Sequence, residues 1–351
     1  MSAFTAPTST TIPSYPELTP GFDNKQGTYW PNLSATSKTA LDQLTKLITD
    51  KNIDLHDVNI EFIDSKLILL RFLRANNFDV KKALAHIEKN ITWRRDMKVK
   101  ELVEKTPESI LGIELKELTK VFPHWHHGYD RTGRPVVYKQ YGKFDASHVK
   151  KLAGGNYDRV VQYHVWEQEA CLRLCLKQTA KTGKLVETVT GIVDVKDMGL
   201  FQITRDFLAL TKLLADVDQG QYPETLGRIY IINVPSAFPM VWRMVKPWLD
   251  PIVTSKIFIF GSPKDYEPVL IDFIGKENLP SNYGGDLPPL NCNVHPYEES
   301  MKEYATVGLT EDFPTSIKRS ESEADTTVVT EGELADESSV DPEAVTFAQG
   351  L

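Results

Sequence analysis

The sequence predicts an α/β protein: a small N-terminal helical lobe followed by a larger domain built on a mostly parallel sheet. Up to about residue 115 the apolar residues recur at helical spacing, and beyond about residue 120 short β-rich runs alternate with longer helical ones. The β-rich runs are apolar on both faces and are separated by stretches long enough for crossover helices. That is the pattern of parallel strands buried between helical layers.

Residues 1–35 hold Pro, Ser and Thr without an apolar period and read as a flexible leader. Order begins at SKTALDQLTKLI, where Leu41, Leu44 and Ile48 share one helical face. A second helix covers DSKLILLRFLRA. A third, DVKKALAHIEKNITWRR, places Val80, Leu84, Ile87 and Ile91 at i, i+4, i+7 and i+11 behind Asp79 as N-cap. Together these form a lobe over residues 36–115. The domain over residues 116–290 supplies strands at 134–140, 190–195, 228–234 and 256–260, with helices at 157–180, 203–216 and 236–249. It closes at LPSNYGGDLPPL, where Gly and Pro stop regular structure. Residues 291–351 read as an acidic, disordered tail.

With 41% apolar and 25% charged residues in 351, the composition is that of a globular protein with a substantial core. The net charge of −8 is unevenly placed. From Ser320 to Leu351 there are nine acidic residues and no Lys or Arg, and setting those nine aside leaves the rest at +1. So neutral a body excludes a dedicated nucleic-acid binder, which carries a basic stripe. Three cysteines, Cys171, Cys175 and Cys292, cannot close a disulfide framework and fit a reducing compartment. The N-terminus lacks the apolar core of a secretory signal, and no apolar run reaches the roughly 18 residues that span a bilayer. The expectation is a cytoplasmic protein with peripheral membrane contact.

No Gly-rich phosphate loop, G-x-S-x-G elbow, H-E-x-x-H or paired C-x-x-C occurs. In the HWHH run at 124–127, His124 and His126 would lie on one side of an extended segment. Two ligands without a third read as loop or pocket-wall histidines rather than as a metal site. Cys171 and Cys175, four apart on a helix, read as core thiols. Asp194 and Asp197 in IVDVKDMG follow a buried strand, and read as a helix N-cap or a salt bridge with Lys196. No catalytic residue, metal or cofactor is expected.

Segment 236–249, SAFPMVWRMVKPWL, is apolar almost all round. Phe238, Met240, Val241, Trp242, Met244, Val245, Trp248 and Leu249 leave only a polar strip at Arg243 and Lys246. One side can pack on a sheet; the other needs more protein, an apolar ligand or a membrane. Trp beside Arg and Lys suits a membrane interface. Pro235, Pro239, Pro247 and Pro251 mark the segment off as a block able to move. The arrangement expected is a lid over an apolar cavity. Just beyond it, Lys256 heads the run KIFIF, where an ammonium needs water or an anion beside it.

Five stretches carry a resemblance: LLRFLRANNFDVKKA with the TWRR that follows, DRTGRPVVY, YPETLGRIYIINVPSAF, KPWLDPIVTSKIFIFG and ENLPSNYGG. In order and spacing the chain resembles the Sec14-like CRAL-TRIO lipid-transfer family over about residues 35–290. The resemblance implies a helical lobe, a mostly parallel sheet flooring one deep apolar pocket, and a gate, here 236–249, that opens at a membrane to exchange one lipid. It also implies that Lys256 binds the phosphate of a phosphatidylinositol headgroup, with Glu224 in the same site, so that the ligand's anion pairs the lysine. Asn76 and Val253 stand where phosphoinositide-binding members carry arginine and threonine. The positions that hold phosphatidylcholine in the founding type are occupied here by His126, Val137, Gln168, Val189 and Gly191. A tyrosine cage for a quaternary ammonium is therefore absent, and a different second ligand, sterol-like or otherwise hydrophobic, is expected.

The function implied is non-enzymatic lipid transfer or presentation by a monomer, peripheral at Golgi, ER or endosomal membranes. On this reading Lys256→Ala abolishes phosphatidylinositol transfer and leaves folding intact. The alternative is an interaction protein acting on a small GTPase or lipid kinase, for which the acidic tail is a partner site. An enzyme using Asp194 and a histidine of 124–127 ranks last.

Overall fold

The computed structural model describes residues 27–290 apart from 31, 61–63 and 237. The expected acidic tail, Cys292 and most of the leader lie outside the described residues.

Three helices make the lobe: α1 (Ala35–Asp50), α2 (Ser65–Ala75) and α3 (Val80–Asp96). Each starts on a side-chain cap, with Ser34 accepting from the Ser37 amide, Asp64 from that of Lys66 and Asp79 from that of Lys82. Leu41, Leu44 and Ile48 pack with Ile68, Leu69, Leu73 and Ile87 as the sequence pattern requires. The apolar stripe of α3 is rotated from the one expected. Its buried residues are Ala83, Ile87, Asn90, Ile91 and Arg94, while Val80 and Leu84 are half-buried. The shift has a physical reason: α3 serves two neighbours, and its polar buried residues bond to the second domain.

Short helices α4 (Val99–Leu102), α5 (Pro107–Leu111) and α6 (Leu115–Val121) lead into β1 (His124–Tyr129) and β2 (Pro135–Gln140). Then follow α7 (Ala146–Leu152), α8 (Asp158–Thr182), β3 (Val189–Asp194), α9 (Arg205–Gln221), β4 (Leu226–Ile232), α10 (Phe238–Val245), α11 (Pro251–Ser255), β5 (Ile257–Ile259) and α12 (Pro263–Ile274). The sheet runs β1-β2-β3-β4-β5. Strands β2 to β5 are parallel, and β1 lies antiparallel on the edge. That edge strand is the HWHH run. The turn joining it to β2 is closed by Asp130, whose Oδ1 accepts from the Thr132 and Arg134 amides and the Thr132 hydroxyl, while Oδ2 accepts from Thr190 on β3.

Of the boundaries that differ from those expected, two bear on the site. The 236–249 segment is no single helix, since α10 ends at Val245 and a 3₁₀ turn spans Lys246–Trp248. Pro247 has no amide to continue the helical ladder. Lys256 is the C-cap of α11 and lies outside the strand, which begins at Ile257.

Candidate binding cavity

A cavity of about 510 Å³ lies between the sheet, helices α8 and α9, and α10. Its floor is β2 to β4, with Val137, Val189, Gly191, Val193, Ile229 and Ile231 turned into it at strand alternation. Its cover is one face of α10. Phe238, Val241, Trp242 and Val245, at i, i+3, i+4 and i+7, line the cavity. The six gate residues named from the sequence therefore divide. Phe238, Val241 and Val245 are on the lining face, whereas Met240 is 56% exposed, and Met244 and Trp248 are half-buried outside the lining.

The two expected headgroup residues come together at one end. Lys256 Nζ donates to Glu224 Oε2 at 3.1 Å and to the Leu226 carbonyl at 2.9 Å. Burial pulls the ammonium's pKa down and the Glu224 carboxylate pulls it back. An anion beside this lysine is thus supplied by the chain itself. Glu224 is held in left-handed backbone conformation, φ 57°, a strained state for a non-glycine residue.

Asn76 and Val253 line the same cavity. The Asn76 amide donates to the Phe72 carbonyl at 2.8 Å and stands 3.0 Å from His86 Nδ1, while His86 Nε2 donates to the Gly220 carbonyl at 2.8 Å. His86 thus ties the lobe to the end of α9, and is a lining residue the sequence reading missed.

The other end is polar too. On α8, His164, Glu167, Gln168 and Cys171 recur at i, i+3, i+4 and i+7 and all line the cavity, as do Lys139 of β2, Tyr141 just after it and Asp218 of α9. His164 Nε2 lies 2.6 Å from Asp218 Oδ1, and the Gln168 amide donates to the same oxygen at 2.8 Å. Burial works against the imidazolium, but the Asp218 carboxylate outweighs it and the His164 pKa is pushed up to about 9. Burial instead dominates at His126, pushed down to about 3, whose Nε2 is 3.8 Å from Cys171 Sγ. His124 Nδ1 donates to the Phe122 carbonyl, and its Nε2 accepts from Tyr163. The two histidines of alternation therefore share a side, facing α8. Among the described residues no group of three or more His, Cys, Asp or Glu is placed to hold a metal ion.

Asp194 forms neither the helix cap nor the Lys196 side-chain salt bridge expected. Its Oδ1 accepts from the Lys196 amide and from Asn233, both at 2.9 Å, which pins the turn after β3 to the end of β4. Cys171 and Cys175 are buried as expected.

Residues 120–285 match the CRAL/TRIO domain model, and residues 40–89 match that of the CRAL/TRIO N-terminal domain. The chain belongs to the CRAL-TRIO family. It is 33% identical over 260 residues to the SEC14 cytosolic factor of Eremothecium gossypii, an alignment covering 72% of this chain and 78% of that one. The SEC14 cytosolic factor of Kluyveromyces lactis is 35% identical over 219 residues, 62% of this chain and 69% of that relative. The Arabidopsis thaliana phosphatidylinositol/phosphatidylcholine transfer protein SFH7 is 34% identical over 243 residues, 69% of this chain, but this CRAL-TRIO chain spans only 41% of the length of that plant relative. In a solved structure, the crystal structure of Sfh5, the same fold is found at a TM-score of 0.55 and 20% identity, covering 77% of this chain and 96% of that one. Among the described residues no helix of this CRAL-TRIO protein is long and apolar enough to cross a membrane.

Proposed function

We propose that this protein is a non-enzymatic carrier that holds phosphatidylinositol or a second lipid in its cavity and exchanges it at a membrane surface. The observation that carries the reading is convergence. Lys256 and Glu224, distant from the five wall positions in sequence, line the same cavity as His126, Val137, Gln168, Val189 and Gly191. The relatives named as SEC14 factors and as phosphatidylinositol/phosphatidylcholine transfer proteins support the ligand class.

In this reading the phosphate meets Lys256 in a charge-assisted contact, and Glu224 accepts from inositol hydroxyls. The acyl chains lie on the apolar floor beneath α10, each buried methylene contributing about 0.8 kcal/mol, enough to compete with the bilayer they leave. Exchange requires only that α10 swing aside; no bond is made or broken. The protein acts as a monomer in the cytoplasm, peripheral to the membranes it visits. The test is transfer of labelled phosphatidylinositol between vesicles, with mass spectrometry of the lipid that co-purifies. Co-purified phosphatidylinositol together with transfer is expected; a protein that carries no lipid and transfers none overturns the reading.

A further inference from the structure

We propose that the end of the cavity bounded by Lys139, Gln168 and Asp218 is the headgroup site of an ethanolamine-type phospholipid, a zwitterion whose ammonium bears N–H groups. The inference rests on the carrier reading and names its second ligand.

Lys139 shares the inward face of β2 with Val137 and lines the cavity. Among the described residues its ammonium makes no hydrogen bond or ion pair, and it stands 5.8 Å from the centre of the Phe122 ring. Across from it, Asp218 Oδ1 takes both the His164 and the Gln168 contacts, which leaves Oδ2 as an acceptor on a side chain 43% accessible. Gln168 uses its N–H on Asp218 and so presents its carbonyl oxygen. The site therefore offers one cationic donor and, separately, two acceptors with a negative bias.

Charge decides the ligand class. Lys139 and His164 set two positive charges against Glu167 and Asp218, so the site is balanced before any ligand enters. A zwitterion brings one charge of each sign, and here each of its charges meets a partner of opposite sign. Its phosphate matches Lys139 and its ammonium matches Asp218 and Gln168.

Hydrogen bonding then decides between zwitterions. A quaternary ammonium has no N–H to give the Gln168 carbonyl or the Asp218 oxygen, and it binds best to open aromatic faces. Tyr141, two residues on from Lys139 in the turn after β2, has its ring stacked on Phe122 at 5.9 Å and packed against Phe144 and Phe207. An ammonium with N–H groups satisfies both acceptors.

The test is competitive loading. The purified full-length protein is incubated with vesicles holding equal amounts of phosphatidylinositol, phosphatidylethanolamine, phosphatidylcholine and ergosterol, re-isolated, and its bound lipids are quantified. Phosphatidylethanolamine is expected about tenfold above phosphatidylcholine. Lys139→Met and Asp218→Asn should each cut it by about tenfold while phosphatidylinositol stays within about twofold. Should Lys139→Met lower both lipids together with the melting temperature, Gln168→Leu, which removes no charge, decides, and an unchanged ethanolamine-to-choline ratio there overturns the proposal. So does phosphatidylcholine or ergosterol loading as well as phosphatidylethanolamine in the unaltered protein. Uptake of no lipid at all refutes the carrier reading instead.

Discussion

Lys256 Nζ lies 3.1 Å from Glu224 Oε2, and both side chains are buried, 5% and 8% accessible. Removing one partner strands the other's charge, so Lys256→Ala should destabilise the fold by about 3 kcal/mol as well as stop phosphatidylinositol transfer. This replaces the sequence-based expectation that folding is left intact. The double change Lys256→Met with Glu224→Gln strands neither charge. It should recover most of the urea midpoint and still transfer no phosphatidylinositol; recovered transfer would remove the headgroup from this site.

A second buried pair joins helix α3 of the lobe to helix α8 of the larger domain. Arg94 of α3 donates to Glu169 of α8 at 2.6 Å, and Tyr222, a cavity-lining residue, donates to the same carboxylate oxygen at 2.8 Å. Arg94→Met should cost about 3 kcal/mol in urea unfolding. A loss under about 1 kcal/mol would show the contact to be dispensable.

The cavity histidines set opposite limits on stability with pH. His164, raised to about 9 against an ordinary value of 6.5, contributes stability that is whole below pH 6.5 and is lost as the pH climbs through 9. Because Asp218 is partly accessible, that share is discounted to roughly 2 kcal/mol. His126, depressed to about 3 by burial, acts the other way: its share is whole above pH 6.5 and drains away as the pH falls toward 3. Glu167, also held low, against burial, by the histidines and Lys139 around it, adds to the acid limb. Urea midpoints plotted against pH should peak near neutrality. Asp218→Asn should flatten the alkaline limb, and His126→Leu should make the acid limb shallower; a profile unmoved by both changes contradicts the assignment.

Phe201 is 83% exposed and Leu200 54%, in the turn just before α9, while Met240 stands out from the outer face of α10. Exposed apolar side chains such as these are suited to dip into a bilayer while α10 opens. Phe201→Ser together with Met240→Ser should weaken vesicle association about tenfold and slow transfer without shifting the thermal midpoint. Unchanged association would place the docking surface elsewhere.

Much of this architecture was readable in the residues. Two-sided apolar strands foretold the parallel sheet, and Lys256, Glu224 and the wall positions named from the resemblance all line one cavity. The polar end was readable in principle but was not read. Val137, Lys139 and Tyr141 alternate in RPVVYKQY, and His164, Glu167, Gln168 and Cys171 fall at i, i+3, i+4 and i+7, so each set faces one way. What no local pattern supplies is pairing between elements. Glu224 and Lys256 are 32 residues apart, and His86 and Gly220 are 134 apart. Their contacts depend on how α3, α9 and the α11 cap meet in space. The strand character of HWHH escaped for a related reason: its hydrogen bonds go to β2 across a turn whose geometry hangs on Asp130.

The Arg94–Glu169 contact has a practical corollary for anyone building chimaeras. Arg94 falls after the first matched segment ends at residue 89 and before the second begins at 120. A hybrid spliced at residue 120 would draw the guanidinium from one parent and the carboxylate from the other. Swaps of ligand preference between cousins should therefore transplant helix α3 along with the sheet, or arrive already loosened at the seam.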